Sequence, residues 1–259
     1  LVPTMGREVL RVDGLDEYDL SSLVTVESGG ETLNTTTLEG LQEHVSPSVS
    51  QSYAATEVCG TYIDADEMVG ERIDSVGKPL LGVQVRVVEH GGSPADVRPP
   101  GEVGEIIVKS SDAAVWVWGD TEKTRESFED GWWYSGDLGY KDEEGYLFIE
   151  GRDDDMILSK GIKVFPAPVE ERLNEHPDVV ESAVFGVKDD EYGERVTAAV
   201  QTTAEDLDAE ILDEWCLQSE KLSRFERPRE YHFYAETLPR TASDKLDRAA
   251  IKERSVDAR

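Results

Sequence analysis

Short apolar runs separated by glycine turns organise the first sixty residues of the chain. Residues 23–26 (LVTV) predict a short buried strand, and Gly29 and Gly30 predict the turn that ends it. Residues 36–44 place two leucines on one helical face, and residues 49–53 predict a second strand. Strand, glycine turn, helix and strand in this order indicate an α/β unit.

Residues 70–150 are richer in strand patterns. Two apolar runs, at residues 83–88 and 103–108, predict strands, and the prolines and glycines between them predict a long turn. A further strand is predicted at residues 146–149, and one short helix at residues 121–128. The pattern therefore predicts a β-rich subdomain.

From residue 152 onward the pattern is that of a small α+β domain, and we place the domain boundary at residues 152–155. Helix 166–174 stops before a proline. A later helix carries one apolar stripe, which consists of Leu207, Ile211, Leu212 and Trp215, and Thr203 with Asp206 predicts its capping box. The other predicted elements are strands 179–187, 196–201 and 231–234 and a last helix at 245–252.

The charge balance excludes several classes of partner. With 56 acidic and 26 basic residues, the net charge is −30, which disfavours nucleic acids and anionic membranes because their phosphates are repelled. The acids are spread among apolar periodic segments, unlike those of a disordered acidic tail. The pattern is typical of a heavily hydrated, halophilic surface.

Other features of the sequence indicate the cellular compartment of the protein and whether the sequence is part of a longer one. No apolar stretch is long enough to span a bilayer, and residues 1–10 lack the layout of a secretory signal. Cys59 and Cys216 show no paired spacing, so neither a zinc site nor a disulfide framework is predicted, and a reducing cytoplasm is expected. The sequence begins with Leu1 rather than Met, which suggests a piece of a longer protein.

The first candidate site is the heptapeptide QSYAATE at residues 51–57. Tyr53 can stack on a purine and Thr56 can hydrogen-bond a phosphate. The carboxylate of Glu57 suits Mg²⁺, a hard cation that prefers oxygen ligands. Taken alone, the heptapeptide favours the interpretation as an ordinary loop with a core tyrosine.

Three further groups have the chemistry that a nucleotide site needs. Asp137 follows Ser135 and Gly136 in a predicted turn, and its carboxylate can accept hydrogen bonds from both hydroxyls of a ribose, with Arg152 as a further donor. Lys245, in the segment LPRTASDKLDR, can stabilise charge that grows when a carboxylate attacks phosphorus. Taken singly, a turn aspartate, a surface arginine and a solvated lysine at a helix start are the commoner interpretations.

The order of these motifs resembles that of the adenylate-forming superfamily. Tyr53 to Glu57, then YSGD, then GRDDD with a Lys-Gly turn, then PRTASDK follow one another along nearly the whole chain. Residues 18–30 (YDLSSLVTVESGG) and 132–139 (WWYSGDLG) are most similar to the acyl-CoA synthetase branch. Members of this superfamily activate a carboxylic acid with ATP to acyl-AMP and pyrophosphate, and then transfer the acyl group to a thiol, usually coenzyme A.

The resemblance implies a role for each motif residue. In the large domain, Gly29, Gly30 and Tyr53 would line the adenine and acyl side. Thr56 would contact phosphate and Glu57 would bind Mg²⁺. Asp137 would hold the ribose. In the small domain, Arg152 would also hold the ribose and Asp154 would be the hinge. Gly161 would lie near the pantetheine path, and Lys245 would be the adenylation lysine.

The chain departs from the superfamily pattern chiefly in what it lacks. No Gly/Ser/Thr-rich phosphate loop is present, so the sequence resembles a C-terminal half, with residues 1–151 ending the large AMP-binding domain and residues 152–259 forming the small mobile one. A fragment and an enzyme split over two chains, with a separate N-terminal half as partner, are favoured over a decayed remnant. Asp244 replaces a glycine, and its charge would raise the basicity of Lys245 or compete with its anions.

Three functions stay open at this point. The first is an ATP-dependent acyl-CoA synthetase, in fatty acid metabolism or acting on an aryl acid. The others are a non-catalytic fragment that binds AMP or CoA and a peptide-synthetase-like adenylation domain. The fold class expected for all three is α/β, a partial large domain followed by a small α+β domain.

The charge of −30 generates the first prediction. Raising KCl from about 0.1 M to about 1 M shortens the Debye length from roughly 10 Å to roughly 3 Å. Because self-repulsion of the folded chain is then screened, the free energy of unfolding measured by urea titration should rise. A free energy of unfolding that stays constant or falls over this range would contradict the halophilic interpretation.

Overall fold

The structure, a computed structural model, describes residues 1–30, 33, 35–241 and 245–257. It divides the chain into a first unit, Leu1–Glu150, and a second unit, Gly151–Arg259. Each unit combines helices with a β-sheet, so the α/β class predicted from the sequence is confirmed.

The first unit contains one nine-stranded sheet. Its helices are α1 (Pro3–Leu10), α2 (Thr35–His44) and α3 (Thr121–Ser127). Its strands are β1 (Val26–Gly29), β2 (Val49–Ala54), β3 (Cys59–Ile63), β4 (Ser75–Pro79), β5 (Gln84–Val88), β6 (Gly104–Lys109), β7 (Phe128–Glu129), β8 (Trp132–Lys141) and β9 (Leu147–Arg152). Their order is β1-β2-β3-β4-β9-β8-β6-β5, with β7 beside β8. β1 and β2 run parallel, whereas β3 is antiparallel to both of its neighbours.

This sheet curls around one apolar cluster. Val76 of β4, Val87 of β5, Ile106 of β6 and Leu147 of β9 belong to the same buried cluster, although β4 and β5 are four strands apart in the sheet order. The close approach of β3 and β4 requires Gly77, where a Cβ atom would lie 2.0 Å from a backbone oxygen of β3. The curl brings together strands that a flat sheet would keep far apart.

Most of the predicted elements of the first unit are confirmed. Strands occur at the positions predicted for β2, β5 and β6, and α2 buries Leu38 and Leu41 against Val49. The strand predicted at 23–26 is wrong: β1 begins at Val26, where its parallel pairing with Val49 begins. Val24 is 85% exposed, so the apolar run LVTV does not mark a buried strand.

The second unit contains a five-stranded sheet. Its strands are β10 (Ile157–Ser159), β11 (Ile162–Val164), β12 (Glu181–Asp189), β13 (Gly193–Gln201) and β14 (Glu230–Tyr234), and its helices are α4 (Pro166–Asn174), α5 (Ala209–Leu217) and α6 (Arg248–Asp257). The strand order is β11-β10-β13-β12, and β14 pairs in parallel with β13.

Both faces of β12 are buried because helices pack on each side of the sheet. Val184 lies in a cluster with residues of α4 and α5, whereas Ala183 and Phe185 lie in a cluster with Ile251 of α6. Successive side chains of a strand point to opposite faces, which explains this alternation. The apolar run from Ala183 to Val187 follows from burial on both sides.

Two helix predictions in the second unit are wrong in detail. The carboxylate of Asp208, not Thr203, caps α5 by accepting hydrogen bonds from two backbone N–H groups. The buried residues of α5 are Leu212 and Cys216, whereas Ile211 is 41% exposed.

The last helix begins later than predicted, at Arg248 rather than at Lys245. The carbonyl of Lys245 accepts a hydrogen bond from the N–H of Thr241, and Asp247 accepts one from the N–H of Ala250. These bonds end an irregular segment at Asp247 and cap the helix there.

Within the described ranges, no helix has both the length and the apolar content needed to cross a bilayer. The longest helices, α2 and α6, have ten residues each. A helix that spans a bilayer needs roughly twenty.

Candidate functional site

A short hydrogen bond joins two of the motifs that the sequence singles out. The hydroxyl of Tyr53 donates to Oδ2 of Asp137 over 2.6 Å, although the two residues are 84 positions apart. Tyr53 lies in β2 and Asp137 in β8, and both side chains are partly buried. The curled sheet of the first unit therefore brings the aromatic ring and the carboxylate to one place.

A bulge in β8 fixes the position of Asp137. Ile106 of β6 stands opposite the three residues 135–137, so the pairing of the two strands is interrupted there. Gly136 has a φ of +71°, which favours glycine. The hydroxyl of Ser135 donates to the carbonyl of Ile106 over 2.7 Å and accepts from the N–H of Asp137 over 2.9 Å. Ser135 thus satisfies two backbone groups that the bulge unpairs.

A second irregularity makes room for the ring of Tyr53. The register between β2 and β3 shifts by one residue at Gly60. A Cβ atom at Gly60 would lie 3.0 Å from Cδ1 of Tyr53, closer than side chains normally pack. The ring also packs against the apolar cluster that includes Trp133, so Tyr53 contacts both the core and Asp137.

Gly29 and Gly30 lie next to this pair. Gly29 is opposite Ser52 in the parallel pairing of β1 and β2, and a Cβ atom on it would lie 3.1 Å from Oγ of Ser52. Gly30, with a φ of +90°, follows the end of β1. The carboxyl ends of parallel strands share one edge of a sheet, where open α/β sheets bind ligands. The two glycines and Tyr53 therefore share one edge.

Thr56 and Glu57 form the tip of the hairpin between β2 and β3. Ala55 and Val58 exchange two backbone hydrogen bonds around them, and the carbonyl of Glu57 accepts from the N–H of Ala114 over 2.7 Å. Thr56 is exposed and Glu57 is partly exposed. The described residues contain no cluster of three or more metal-ligating side chains. A single carboxylate at an open tip nevertheless suits Mg²⁺, which commonly takes one or two carboxylates together with water and phosphate oxygens.

Arg152 ends β9, and Asp154 lies in the turn that follows it. The carbonyl of Arg152 accepts from the N–H of Asp155, and the carbonyl of Asp153 accepts from the N–H of Met156. Nη2 of Arg152 lies 3.6 Å from Oδ2 of Asp154, whose side chain is 83% exposed. The position predicted as a hinge is thus an exposed turn residue with few constraints on its side chain.

Gly161 occupies a two-residue hairpin turn between β10 and β11. Lys160 and Gly161 have φ values of +49° and +80°, the combination that a type I′ hairpin turn requires. Nζ of Lys160 lies 2.7 Å from Glu191 and 4.1 Å from the centre of the Tyr192 ring. The hydrogen bond to Glu191 raises the pKa of Lys160 above its usual value. These contacts fix the turn beside the connection between β12 and β13.

Lys245 is exposed in an irregular segment that precedes α6. The N–H of Thr241 donates to the carbonyl of Lys245 over 2.8 Å, and the N–H of Asp247 donates to the carbonyl of Pro239 over 2.9 Å. We call residues 238–241 and 245–247 the Lys245 segment. Ser243 and Asp244, to which the sequence motif also extends, lie outside the described residues.

The Lys245 segment and the Gly161 turn are held at opposite ends of β12. Nη2 of Arg240 lies 2.7 Å from Oε2 of Glu181, the first residue of β12. The Gly161 turn contacts Glu191, two residues beyond the last residue of the strand. β12 has nine residues, so its two ends lie roughly 25 Å apart at about 3.3 Å per residue.

The structure therefore gathers some of the predicted residues and separates others. In the first unit, Gly29, Tyr53 and Asp137 lie together, and Thr56 and Glu57 follow directly on the hairpin. In the second unit, the turn of Gly161 lies far from Lys245. Sequence reasoning missed the roles of Ser135 and Gly60, because a bulge is visible only once strands are paired. The dipeptide Ser-Gly before Asp137 is the one local signal.

Most of the chain matches two families of known proteins. The family described as AMP-binding enzyme matches residues 1–115, and the AMP-binding enzyme C-terminal domain matches residues 168–245. A 2-succinylbenzoate–CoA ligase of Bacillus cereus is 36% identical over 255 residues, which are 98% of this chain and 51% of that protein. An uncharacterized acyl–CoA ligase of Bacillus subtilis is 34% identical over 97% of this chain and 47% of its own length.

Solved structures likewise match nearly all of this chain over about half of their own length. An o-succinylbenzoate CoA synthetase from Bacillus subtilis, in complex with its acyl-adenylate intermediate, superposes with a TM-score of 0.84 at 30% identity, over 97% of this chain and 50% of that one. An amide bond synthetase from Marinactinospora thermotolerans superposes with a TM-score of 0.86 at 31% identity, over 98% and 51%. The chain spans about half the length of the curated relatives it matches.

The bulge generates the second prediction. Ser135→Ala should lower the free energy of unfolding by about 1–3 kcal/mol, because it leaves the buried carbonyl of Ile106 and the N–H of Asp137 without their partner. Urea titration at one fixed salt concentration measures the change. Ser111→Ala, at an exposed position, is the matched control. Equal stability of the two variants would show that the hydroxyl does not hold the bulge.

Proposed function

Because this chain belongs to the AMP-binding enzyme family, we propose that it supplies the C-terminal part of an ATP-dependent acid–CoA ligase. In the first half-reaction, a carboxylate oxygen of the acid attacks the α-phosphorus of ATP, which gives acyl-AMP and releases pyrophosphate. In the second, the thiol of coenzyme A attacks the acyl carbon and AMP leaves. The observation that carries the proposal is the contact between Tyr53 and Asp137 at the edge of the curled sheet.

Asp137 is proposed to hold the ribose of the nucleotide. A ribose offers two neighbouring hydroxyl donors, and an ionised carboxylate accepts both. The bulge at residues 135–137 fixes its backbone, so little conformational entropy is lost on binding. Arg152 is proposed as a further donor to the same sugar. The ring of Tyr53, with Gly29 and Gly30 at the neighbouring strand end, would bound the adenine and acyl side.

The hairpin tip is proposed to face the phosphates of ATP. Thr56 offers a hydroxyl donor, and Glu57 offers the carboxylate that would hold Mg²⁺ together with phosphate oxygens. When bound, the ion would neutralise phosphate charge. In a chain with a net charge of −30, this neutralisation matters, because ATP must otherwise approach an acidic protein.

Lys245 is proposed to stabilise the negative charge that develops on the phosphate during adenylation. The turn of Gly161 is proposed to lie beside the pantetheine thiol in the second half-reaction. Because the contacts that hold the two segments lie at opposite ends of β12, roughly 25 Å apart, one orientation of the second unit cannot present both segments to a single acyl group. A rotation about the exposed turn at Asp154 would exchange them, as small hinge regions do in other enzymes.

The phosphate loop would come from a polypeptide that corresponds to the N-terminal half of the relatives, which we call the upstream half. It is either joined to this chain or a separate subunit, and the relatives that this chain matches are about twice its length. The same length relation favours one alternative function, a fragment that binds AMP or CoA without catalysis. Since the Bacillus cereus relative is a 2-succinylbenzoate–CoA ligase, 2-succinylbenzoate is the first acid to assay.

Acid-dependent exchange of pyrophosphate into ATP tests the proposal. The exchange should require both the chain and the upstream half, together with Mg²⁺ and an acid. Binding of AMP without exchange for any acid in a panel of aryl and fatty acids would support the non-catalytic alternative instead.

The third prediction separates the two half-reactions. With the upstream half present, Lys245→Ala should lower the rate of pyrophosphate exchange by at least about 100-fold, the loss expected when one group that stabilises transition-state charge is removed. Thioester formation from supplied acyl-AMP should keep its wild-type rate. Lys252→Ala, which removes an exposed lysine from α6, is the matched control. An equal loss in both half-reactions would refute the assignment.

A further inference from the structure

We propose that Arg248 is a positioning residue that couples the turn at residues 152–156 to the Lys245 segment. The inference rests on the proposed function for its catalytic consequence, whereas the coupling itself is a property of the second unit. Arg248 is the last residue of the segment LPRTASDKLDR, and the motif order gives it no role. Its role follows from three contacts of one side chain, all within the second unit.

The guanidinium of Arg248 binds a buried carboxylate. Arg248 is the first residue of α6 and lies three positions after Lys245. Its Nη2 donates to Oε2 of Glu170 over 2.8 Å, and its Nη1 donates to Oε1 of the same residue. This two-point contact uses the planar fork of arginine, which a lysine does not reproduce.

Glu170 is held independently of Arg248. It is only 8% exposed on α4, and its Oε1 also accepts from the N–H of Val184 in β12 over 2.6 Å. A buried carboxylate with a backbone donor and a two-point arginine contact has little freedom to move. Glu170 therefore anchors the start of α6 to the centre of the second unit.

The third contact of Arg248 reaches the turn. Its Nε lies 3.5 Å from Oδ2 of Asp155, the residue that follows the proposed hinge Asp154. Asp155 is itself part of the turn, because its N–H donates to the carbonyl of Arg152. One side chain thus contacts the turn, α4 and the helix that follows Lys245.

The other end of the Lys245 segment is anchored in a similar way. Arg240 binds Glu181 over 2.7 Å, and the side chain of Glu181 is only 7% exposed. Two arginines, each on a buried glutamate, therefore flank Lys245. Arg248 also contacts the turn, through Asp155.

This arrangement couples Asp155 to the part of the second unit that carries Lys245. It therefore favours torsion changes at or before Asp154, which leave the contact between Arg248 and Asp155 intact. A lysine held in this way reaches the phosphate in one orientation after each rotation, which an enzyme needs because misplacement of a catalytic group by about 1 Å can cost about 100-fold in rate. Loss of the contact should leave Lys245 present but less well placed.

Amide hydrogen exchange, measured by NMR on the full chain, tests the coupling without any catalysis. Asp155→Ala should speed exchange of the Thr241 and Asp247 amides by about two- to fivefold, the range expected for loss of a partly exposed ion pair. Arg248→Lys should speed it further, because it also disturbs the contact with Glu170. Asp206→Ala, the same substitution at an exposed position of the second unit, is the control and should change neither amide. Equal exchange in the Asp155→Ala and Asp206→Ala variants would overturn the proposal.

Kinetics with the upstream half test the catalytic consequence. In Asp155→Ala, kcat for pyrophosphate exchange should fall while the KM for ATP and the rate of thioester formation from supplied acyl-AMP stay unchanged. A changed KM with unchanged kcat would overturn the positioning role. If the wild-type protein shows no exchange with any acid, the proposed function fails, and the amide exchange result still decides the coupling.

Discussion

The hydrogen bond between Tyr53 and Asp137 is the constraint on which the proposed nucleotide site depends. The two residues lie on β2 and β8, which are four strand spacings apart, or about 19 Å in a flat sheet. A contact of 2.6 Å is possible only because the sheet curls around its apolar cluster. The core of the first unit therefore determines whether the ring and the carboxylate meet. A change that opens the curl would separate them without altering either residue.

Two local irregularities adapt this sheet to the site. The bulge at Ser135 points a carboxylate out of β8, and Gly60 leaves space for an aromatic ring on the neighbouring hairpin. Regular pairing would satisfy more backbone groups, so such irregularities commonly mark functional positions. Here each of them supports one member of the Tyr53–Asp137 pair.

The sequence predicted the elements whose signals are local. The alternation in β13 and the buried valines of β5 and β6 gave strands at the observed positions, and proline marked the limits of α4. Predictions failed where a single polar contact decides the outcome: the carboxylate of Asp208 sets the start of α5. The Lys245 segment is irregular because its backbone bonds to residues before it, which no helical periodicity reveals.

The site could be predicted only as a set of positions. The order of the motifs, through resemblance to a family, singled out Tyr53, Asp137 and Lys245, and the family membership is now confirmed. Their roles remain predictions. That Tyr53 contacts Asp137, and that Gly161 and Lys245 lie at opposite ends of β12, depends on pairings between residues far apart in sequence. These long-range pairings have no local signature.

A calorimetric titration of AMP into the protein, with the upstream half present, tests the role of the Tyr53–Asp137 contact most directly. If this contact marks the nucleotide site, AMP binds and Asp137→Ala weakens its affinity by at least about tenfold, since hydrogen bonds to a charged group contribute about 1.5–3 kcal/mol each. An affinity for AMP that is the same in the wild type and in Asp137→Ala would contradict the claim that the Tyr53–Asp137 contact marks the nucleotide site.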